Sequence, residues 1–191
     1  MIDSGQMIPE ELMAVSKCLI KQNELEKLIK IMAKEIEVKL GNSNLIIVTI
    51  MNGGLIPTGI FLKYFQPACQ LDYIHLTRYG NQTTGGRIKW HRRPQNIIYN
   101  RNILLIDDIL DQGVTLETAV NECYNQGAKS VHTAVMVKKD ITHRQGFQKS
   151  DFFALELPDE YLFGSGLDYQ GYFRNLAGIY SLTRNQGLTE P

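Results

Sequence analysis

The sequence predicts an α/β fold, a central parallel sheet flanked by helices, from two patterns. Leu45-Ile46-Ile47-Val48-Thr49-Ile50, Ile103-Leu104-Leu105-Ile106 and Val131 to Val137 are short, continuous apolar runs, the mark of strands buried on both faces. An amphipathic run links the last two, and strand, helix, strand in that order implies a right-handed parallel crossover. At 191 residues the chain suits one domain of ordinary size with a full α/β core.

Each element has a local cause. Pro9-Glu10-Glu11 reads as the first turn of a helix whose apolar stripe is Leu12, Val15 and Leu19. Asn23 is a suitable cap for a second helix, with Leu25, Leu28, Ile29, Met32, Ile36 and Leu40 at helical spacing before Gly41 stops it. Leu45–Ile50 follows as a central strand, ended by Asn52-Gly53-Gly54. A helix from about Pro57, a residue suited to the first helical position, to about Phe65 comes next, then a strand from Leu71 to Leu76.

Thr77 to Asn100 is polar and contains Trp90 and the basic run His91-Arg92-Arg93, too long for a simple connection; it reads as a β-ribbon lid. After the strand Ile103–Ile106, Leu116, Ala119, Val120 and Cys123 make one helical face, ended by Gly127, and Val131–Val137 returns as a strand. Phe152-Phe153-Ala154-Leu155 and Ile179-Tyr180-Ser181-Leu182 are the last apolar stretches.

Charged residues make up 21% of the chain, 20 Lys+Arg against 20 Asp+Glu, so no global field attracts nucleic acid or a membrane surface. Any anion site must be local. The start, Met1-Ile2-Asp3-Ser4-Gly5, has no basic region ahead of an apolar core, and no apolar run reaches the roughly 20 residues of a membrane span. Cys18, Cys69 and Cys123 are odd in number and widely spaced, which argues against disulfides or zinc; three small buried apolar residues are expected, in a reducing cytoplasm.

The chemistry concentrates in Leu104 to Thr115. An apolar strand delivers Asp107 and Asp108 to its carboxyl end, and a short polar loop with Gly113 then opens a helix. Ligands of open α/β sheets bind outside the carboxyl ends of strands, and the free N–H groups of a helix start bind an anion. Adjacent carboxylates repel one another unless hydroxyl donors or a hard cation satisfy them, so the pair suits a phosphorylated ribose or magnesium. A phospho-acceptor or phosphatase aspartate pair is the rival functional reading, but such pairs usually sit on the first strand.

Ile103 to Thr115 resembles the signature of the type I phosphoribosyltransferases, which bind phosphoribosyl pyrophosphate. Met51-Asn52-Gly53-Gly54 resembles the family's pyrophosphate loop, and Leu76-Thr77-Arg78-Tyr79-Gly80 through Gly85 the mobile loop of its purine salvage branch. Lys149-Ser150-Asp151-Phe152, Leu157 through Tyr169 and Arg174-Asn175-Leu176 resemble that branch's base-binding hood. The resemblance covers most of the chain from residue 45 onward.

The resemblance implies the type I phosphoribosyltransferase fold in a single domain, 1–191. Its core is about 35–140, with a small hood from 1–20 and 145–191 and a mobile β-ribbon loop. It implies transfer of the phosphoribosyl group to hypoxanthine or guanine, giving IMP or GMP and pyrophosphate with Mg2+ as cofactor, in a homodimer or homotetramer that binds neither nucleic acid nor membrane.

Residue by residue, Asp107 and Asp108 would hold the ribose hydroxyls, directly or through magnesium, with Asp168 as a further metal ligand. Asp111 would accept a proton near purine N7. Asp111, Gln112, Gly113, Val114 and Thr115 would cradle the 5-phosphate, and Thr115 also suits a helix cap. Asn52, Gly53 and Arg174 would contact pyrophosphate, with Arg78 and Tyr79 closing over the reacting centre. Lys149 would donate to the 6-oxo group, Tyr161 would stack on the purine and the Leu162 backbone would bond the base edge. Without the hood, Lys149 is a solvated side chain and Tyr161 a core residue.

Two positions depart from the pattern. Gln112 stands where many relatives have Thr, and Asn52 where Lys or Arg is common, so pyrophosphate binding there would rely on backbone N–H groups beside a cis peptide expected at Asn52-Gly53. The alternatives to a hypoxanthine and guanine enzyme are a xanthine-preferring phosphoribosyltransferase and a non-catalytic, nucleotide-sensing RNA-binding regulator of the same fold.

Overall fold

The computed structural model describes residues 9–79 and 87–182. Chain order runs α1 (Pro9–Ala14), β1 (Ser16–Ile20), α2 (Gln22–Leu40), β2 (Leu45–Met51), α3 (Leu55–Leu62), β3 (Gln70–Tyr79), β4 (Arg87–Arg92), β5 (Asn102–Leu110), α4 (Val114–Asn125), β6 (Ser130–Lys139), β7 (Phe152–Leu157), β8 (Leu162–Phe163) and β9 (Ile179–Leu182).

Six strands form the main sheet in the order β4-β3-β2-β5-β6-β7; only the β3–β4 pair is antiparallel. Both faces are covered, which is why its central strands are continuously apolar. Leu45 and Ile47 of β2 pack with α2 and α3, whereas Ile46, Val48 and Ile50 join Leu116, Ala119 and Cys123 of α4 on the other face. α2 adds Leu25, Ile29, Met32, Ala33, Ile36 and Leu40, all buried. Each such Leu or Ile contributes about 1.5–3 kcal/mol by leaving water.

The connections place the site. From β2 the chain crosses through α3 to β3 on one side, and from β5 it crosses through α4 to β6 on the other. The adjacent carboxyl ends of β2 and β5 therefore send their loops apart. That is the switch point where open α/β sheets bind ligands.

A second, antiparallel sheet, β1-β9-β8, joins a segment before the main sheet to two after it. Leu12, Phe163 and Tyr169 form its core, with Phe163 stacked on Tyr180 at 5.6 Å. Among the described residues no helix is long and apolar enough to cross a membrane.

Several expectations need correction. The stripe Leu12, Val15, Leu19 does not form one helix: α1 stops at Ala14, and Ser16–Ile20 pairs with Ile179–Leu182. Strand pairing across the chain overrides a local helical pattern there. Asn23 lies inside α2, whose cap position is Lys21 without a side-chain cap bond. Pro57 is the third residue of α3, still within the turn whose N–H groups have no helical partner. Only Cys123 of the three cysteines is buried; Cys18 is exposed and Cys69 intermediate. The Leu71–Leu76 and Ile103–Ile106 strands both run further, to Tyr79 and Leu110.

Candidate active site

At the switch point, β5 carries Asp107 and Asp108 between the loop after β2 and the second sheet. Asp107 is buried, with 7% of its surface exposed, and its Oδ1 accepts from the Asp108 backbone N–H at 3.0 Å. Burial, followed by the Asp108 charge, pushes the Asp107 carboxyl well above the usual carboxylate range. Burial raises Asp108 as well, while its hydrogen bond with Asp107 and the Arg174 charge oppose the rise.

The loop after β2 comes unusually close to this pair. A Cβ on Gly53 would lie 2.1 Å from Asp108 Oδ2, so only glycine leaves room for the carboxylate. The cis peptide is Met51–Asn52, one bond earlier than Asn52–Gly53, where it was expected. Asn52 is exposed beside it.

Asp111 follows β5, and α4 then begins behind Gly113. Gly113 has φ +75, and a Cβ on it would meet the Phe147 backbone at 2.3 Å. The 146–147 segment braces this loop: Gly146 N–H donates to Gln112 O at 2.9 Å and Phe147 N–H to Gly113 O at 3.1 Å. Gly113 rather than Thr115 is the helix cap, so Thr115 sits in the first turn of α4 among N–H groups suited to an anion.

From the loop between β8 and β9, Arg174 reaches across. Its guanidinium lies 2.5 Å from Asp168 Oδ1 and 3.7 Å from Asp108 Oδ2, and donates to Gly166 O at 2.6 Å. Asp168 Oδ2 also accepts from Gly171 N–H at 2.7 Å. Tyr161 sets its ring edge-on to Tyr169 and donates its hydroxyl to Asp168 O at 3.3 Å. Burial, then the Asp168 charge, holds the Tyr161 hydroxyl up to about 12, so it stays a donor.

These groups line a cavity of about 470 Å³. Asn52, Gly53, Asp107, Asp108, Asp111, Thr115, Asp168 and Arg174, all singled out from the sequence, meet there. Gln112 and Gly113 form the connecting loop and Val114 begins α4, none of them lining it, and Tyr161 touches it through Asp168. Leu162 lies in β8, opposite Ser181 of β9. Arg78 and Tyr79 end β3, opposite Ile88 and Arg87, but their side chains lie outside the described part of the structure. Gly80 through Gly85 of the expected mobile loop lie outside the described residues.

Lys149 is exposed, and neither it nor Lys139 lines the cavity. The lysine beside Asp111 is instead Lys139, at the end of β6. Its ammonium, with only 12% of the side chain exposed, sits 3.4 Å from Asp111 Oδ2 and 3.0 Å from Asp159 Oδ1. Lys139 went unnoticed in the sequence, as did the lining residue His75, while Thr77 entered only as part of the mobile-loop motif. The signal lay in register: Lys138 pairs with Glu156 and points elsewhere, so its neighbour faces the opposite side of the strand.

Residues 16–170 match the model of the phosphoribosyl transferase domain. The chain belongs to the phosphoribosyl transferase family. Within this family it is similar to a hypoxanthine-guanine phosphoribosyltransferase of Bacillus subtilis, 29% identical over 166 residues, 86% of this chain and 92% of that protein. The human enzyme of the same name is 26% identical over 155 residues, 76% and 71% of the two chains. A hypoxanthine-guanine phosphoribosyltransferase structure from Bacillus anthracis shares the fold at TM-score 0.80 and 24% identity, over 87% of this chain and 98% of that one.

The donor set of this phosphoribosyl transferase suits magnesium as a shared ligand rather than a caged one. Among the described residues no group of three or more metal-ligating side chains is preassembled. Asp107 and Asp108 provide hard, buried oxygens that Arg174 offsets only in part, and magnesium commonly takes one or two carboxylates plus substrate oxygens. Asp168 is already held by Arg174 and would have to exchange that partner to serve a metal.

Proposed function

We propose that this chain is a hypoxanthine-guanine phosphoribosyltransferase, converting hypoxanthine or guanine and phosphoribosyl pyrophosphate to IMP or GMP and pyrophosphate. The observation that carries the reading is one cavity in which Asp107 and Asp108, the Asp111–Thr115 helix start and Arg174 converge, in a chain whose relatives bear that name.

In the reaction purine N9 forms a bond to ribose C1 as the C1–oxygen bond to pyrophosphate breaks. The ring passes through an oxocarbenium-like state, so positioning and charge placement supply most of the rate. Asp107 and Asp108 hold the ribose hydroxyls. The same two carboxylates would hold magnesium, which when bound would supply positive charge for the departing pyrophosphate. N–H groups and the Thr115 hydroxyl at the start of α4 bind the 5-phosphate. Arg174 presents its fork to pyrophosphate.

Asp111 takes the proton that the purine loses. We assign the donor to the 6-oxo group to Lys139, which packs 3.4 Å from Asp111 Oδ2, in preference to the exposed Lys149. An ammonium can donate to an oxo group but accepts nothing from an amino group, so a lysine there favours the 6-oxopurine. Tyr161 stacks on the base and Leu162 supplies backbone bonds to its edge.

Both arginines of the basic run are engaged within the chain. Arg92 is paired with Asp72 at 2.7 Å and lies over the Tyr73 ring, while Arg93 is paired with Glu122 and lies over Trp90. Incubation with magnesium, phosphoribosyl pyrophosphate and hypoxanthine or guanine tests the enzyme reading. Nucleotide and pyrophosphate in equal amounts are expected. No nucleotide from either base would reject it.

A further inference from the structure

The cavity holds more negative than positive charge, yet it must accept a pyrophosphate group. Four of its lining residues are carboxylates, and among the described lining residues only Arg174 and His75 can be positive. Arg174 is already divided among Asp108, Asp168 and Gly166 O. The loop Asn52-Gly53 has no charge of its own. His75 stands beside it, because Met51 and His75 are register partners across β2 and β3.

The imidazole is held in place. His75 stacks on His91 of β4 with ring centroids 4.5 Å apart and planes 27° from parallel, and His91 Nε2 bonds the Thr77 hydroxyl at 2.9 Å. Thr77 lines the same cavity. Resting on the proposed reading of the reaction, we propose that His75, seated against His91, is a donor-site residue that places a positive charge on the pyrophosphate group of phosphoribosyl pyrophosphate.

Burial, then the His91 charge, holds His75 below the usual imidazole range in the free protein. It is therefore mostly neutral near pH 7 and gains its proton as the anion arrives. The groups around it set that response. β4 contributes His91, Lys89 and Arg92, the last turned toward Asp72. β5 and its loop contribute Asp107, Asp108 and Asp111, and the second sheet's side contributes Asp168 and Arg174. On α4, which packs against β3, Glu122 is occupied by Arg93. β2 offers no charge at Met51 or Asn52.

KM for phosphoribosyl pyrophosphate and for hypoxanthine, measured from about pH 5.5 to 8.5 in wild type and His75→Asn, tests this. The wild-type donor KM is expected to rise about tenfold, relative to the variant, as pH rises through the imidazole range. His75→Asn keeps the high-pH value throughout, and the hypoxanthine KM stays within about twofold. Superimposable donor profiles would overturn the proposal, whereas absence of nucleotide from wild type would instead overturn the reading beneath it.

A second measurement needs no variant activity. The His75 imidazole, assigned by its loss in His75→Asn, is titrated by NMR with and without magnesium pyrophosphate. An upward move of about one pH unit is expected. An unchanged titration rejects the contact.

Discussion

The ribose and 5-phosphate part of the donor side comes from one strand, one loop and one helix start: Asp107, Asp108, Asp111 and Thr115 are near neighbours in the chain. The base side comes from separated segments, Lys139 at the end of β6 and Tyr161 before β8, and the loops before β9 on that same side lend Asp168 and Arg174 to the donor. The donor side is built by local geometry and stays as it is through small changes elsewhere. The base side exists only because a second sheet closes over the first. Donor binding should therefore survive substitutions that abolish base handling, and the reverse should fail.

The largest effect that sharpens this contrast is at Asp111, where the two sides meet. Asp111→Asn keeps the loop and its N–H groups but cannot accept the purine proton. Turnover should fall about 10²–10⁴-fold with little change in donor affinity, measured by single-turnover kinetics and by calorimetry of phosphoribosyl pyrophosphate binding. Unchanged turnover would remove Asp111 from proton transfer and leave the two sides joined only by space.

A smaller effect concerns stability. Asp107 binds its proton more tightly when folded than unfolded, because it is buried beside Asp108. Its contribution is therefore most favourable below the unfolded value of about 4 and is lost as pH rises through the raised folded value. Asp107→Asn removes that charge while its amide oxygen still accepts from Asp108 N–H. In magnesium-free buffer near pH 7 the variant should melt higher than wild type, by about 2–4 °C for each kcal/mol relieved, and the gap should close toward pH 4. A lower melting temperature would mean that the pair is not strained, and that the donor side is not held ready for a cation.

The same division governs what could be read in the sequence. The sheet was legible because its strands are buried on both faces, and the carboxylate loop because strand end, Gly113 and helix start are contiguous. Asp168 and Arg174 were found through a motif, but their mutual 2.5 Å contact is a product of packing. Lys139 was missed because adjacent lysines look alike until strand register sends Lys138 to Glu156 and Lys139 to Asp111. β1 was misread as helix because its partner, β9, lies far away in the chain. His75 gave no local sign, since its role depends on a neighbour strand and on His91 from the ribbon.

The central claim is that the base side reads a 6-oxopurine through Lys139. Hypoxanthine and adenine should be compared as acceptors by kcat/KM in wild type, Lys139→Ala and Lys149→Ala. Wild type and Lys149→Ala should use hypoxanthine and leave adenine nearly untouched. Lys139→Ala should lose about 10–200-fold on hypoxanthine, the worth of about 1–3 kcal/mol, and most of its preference over adenine. Loss confined to Lys149→Ala, with Lys139→Ala unaffected, would contradict this account.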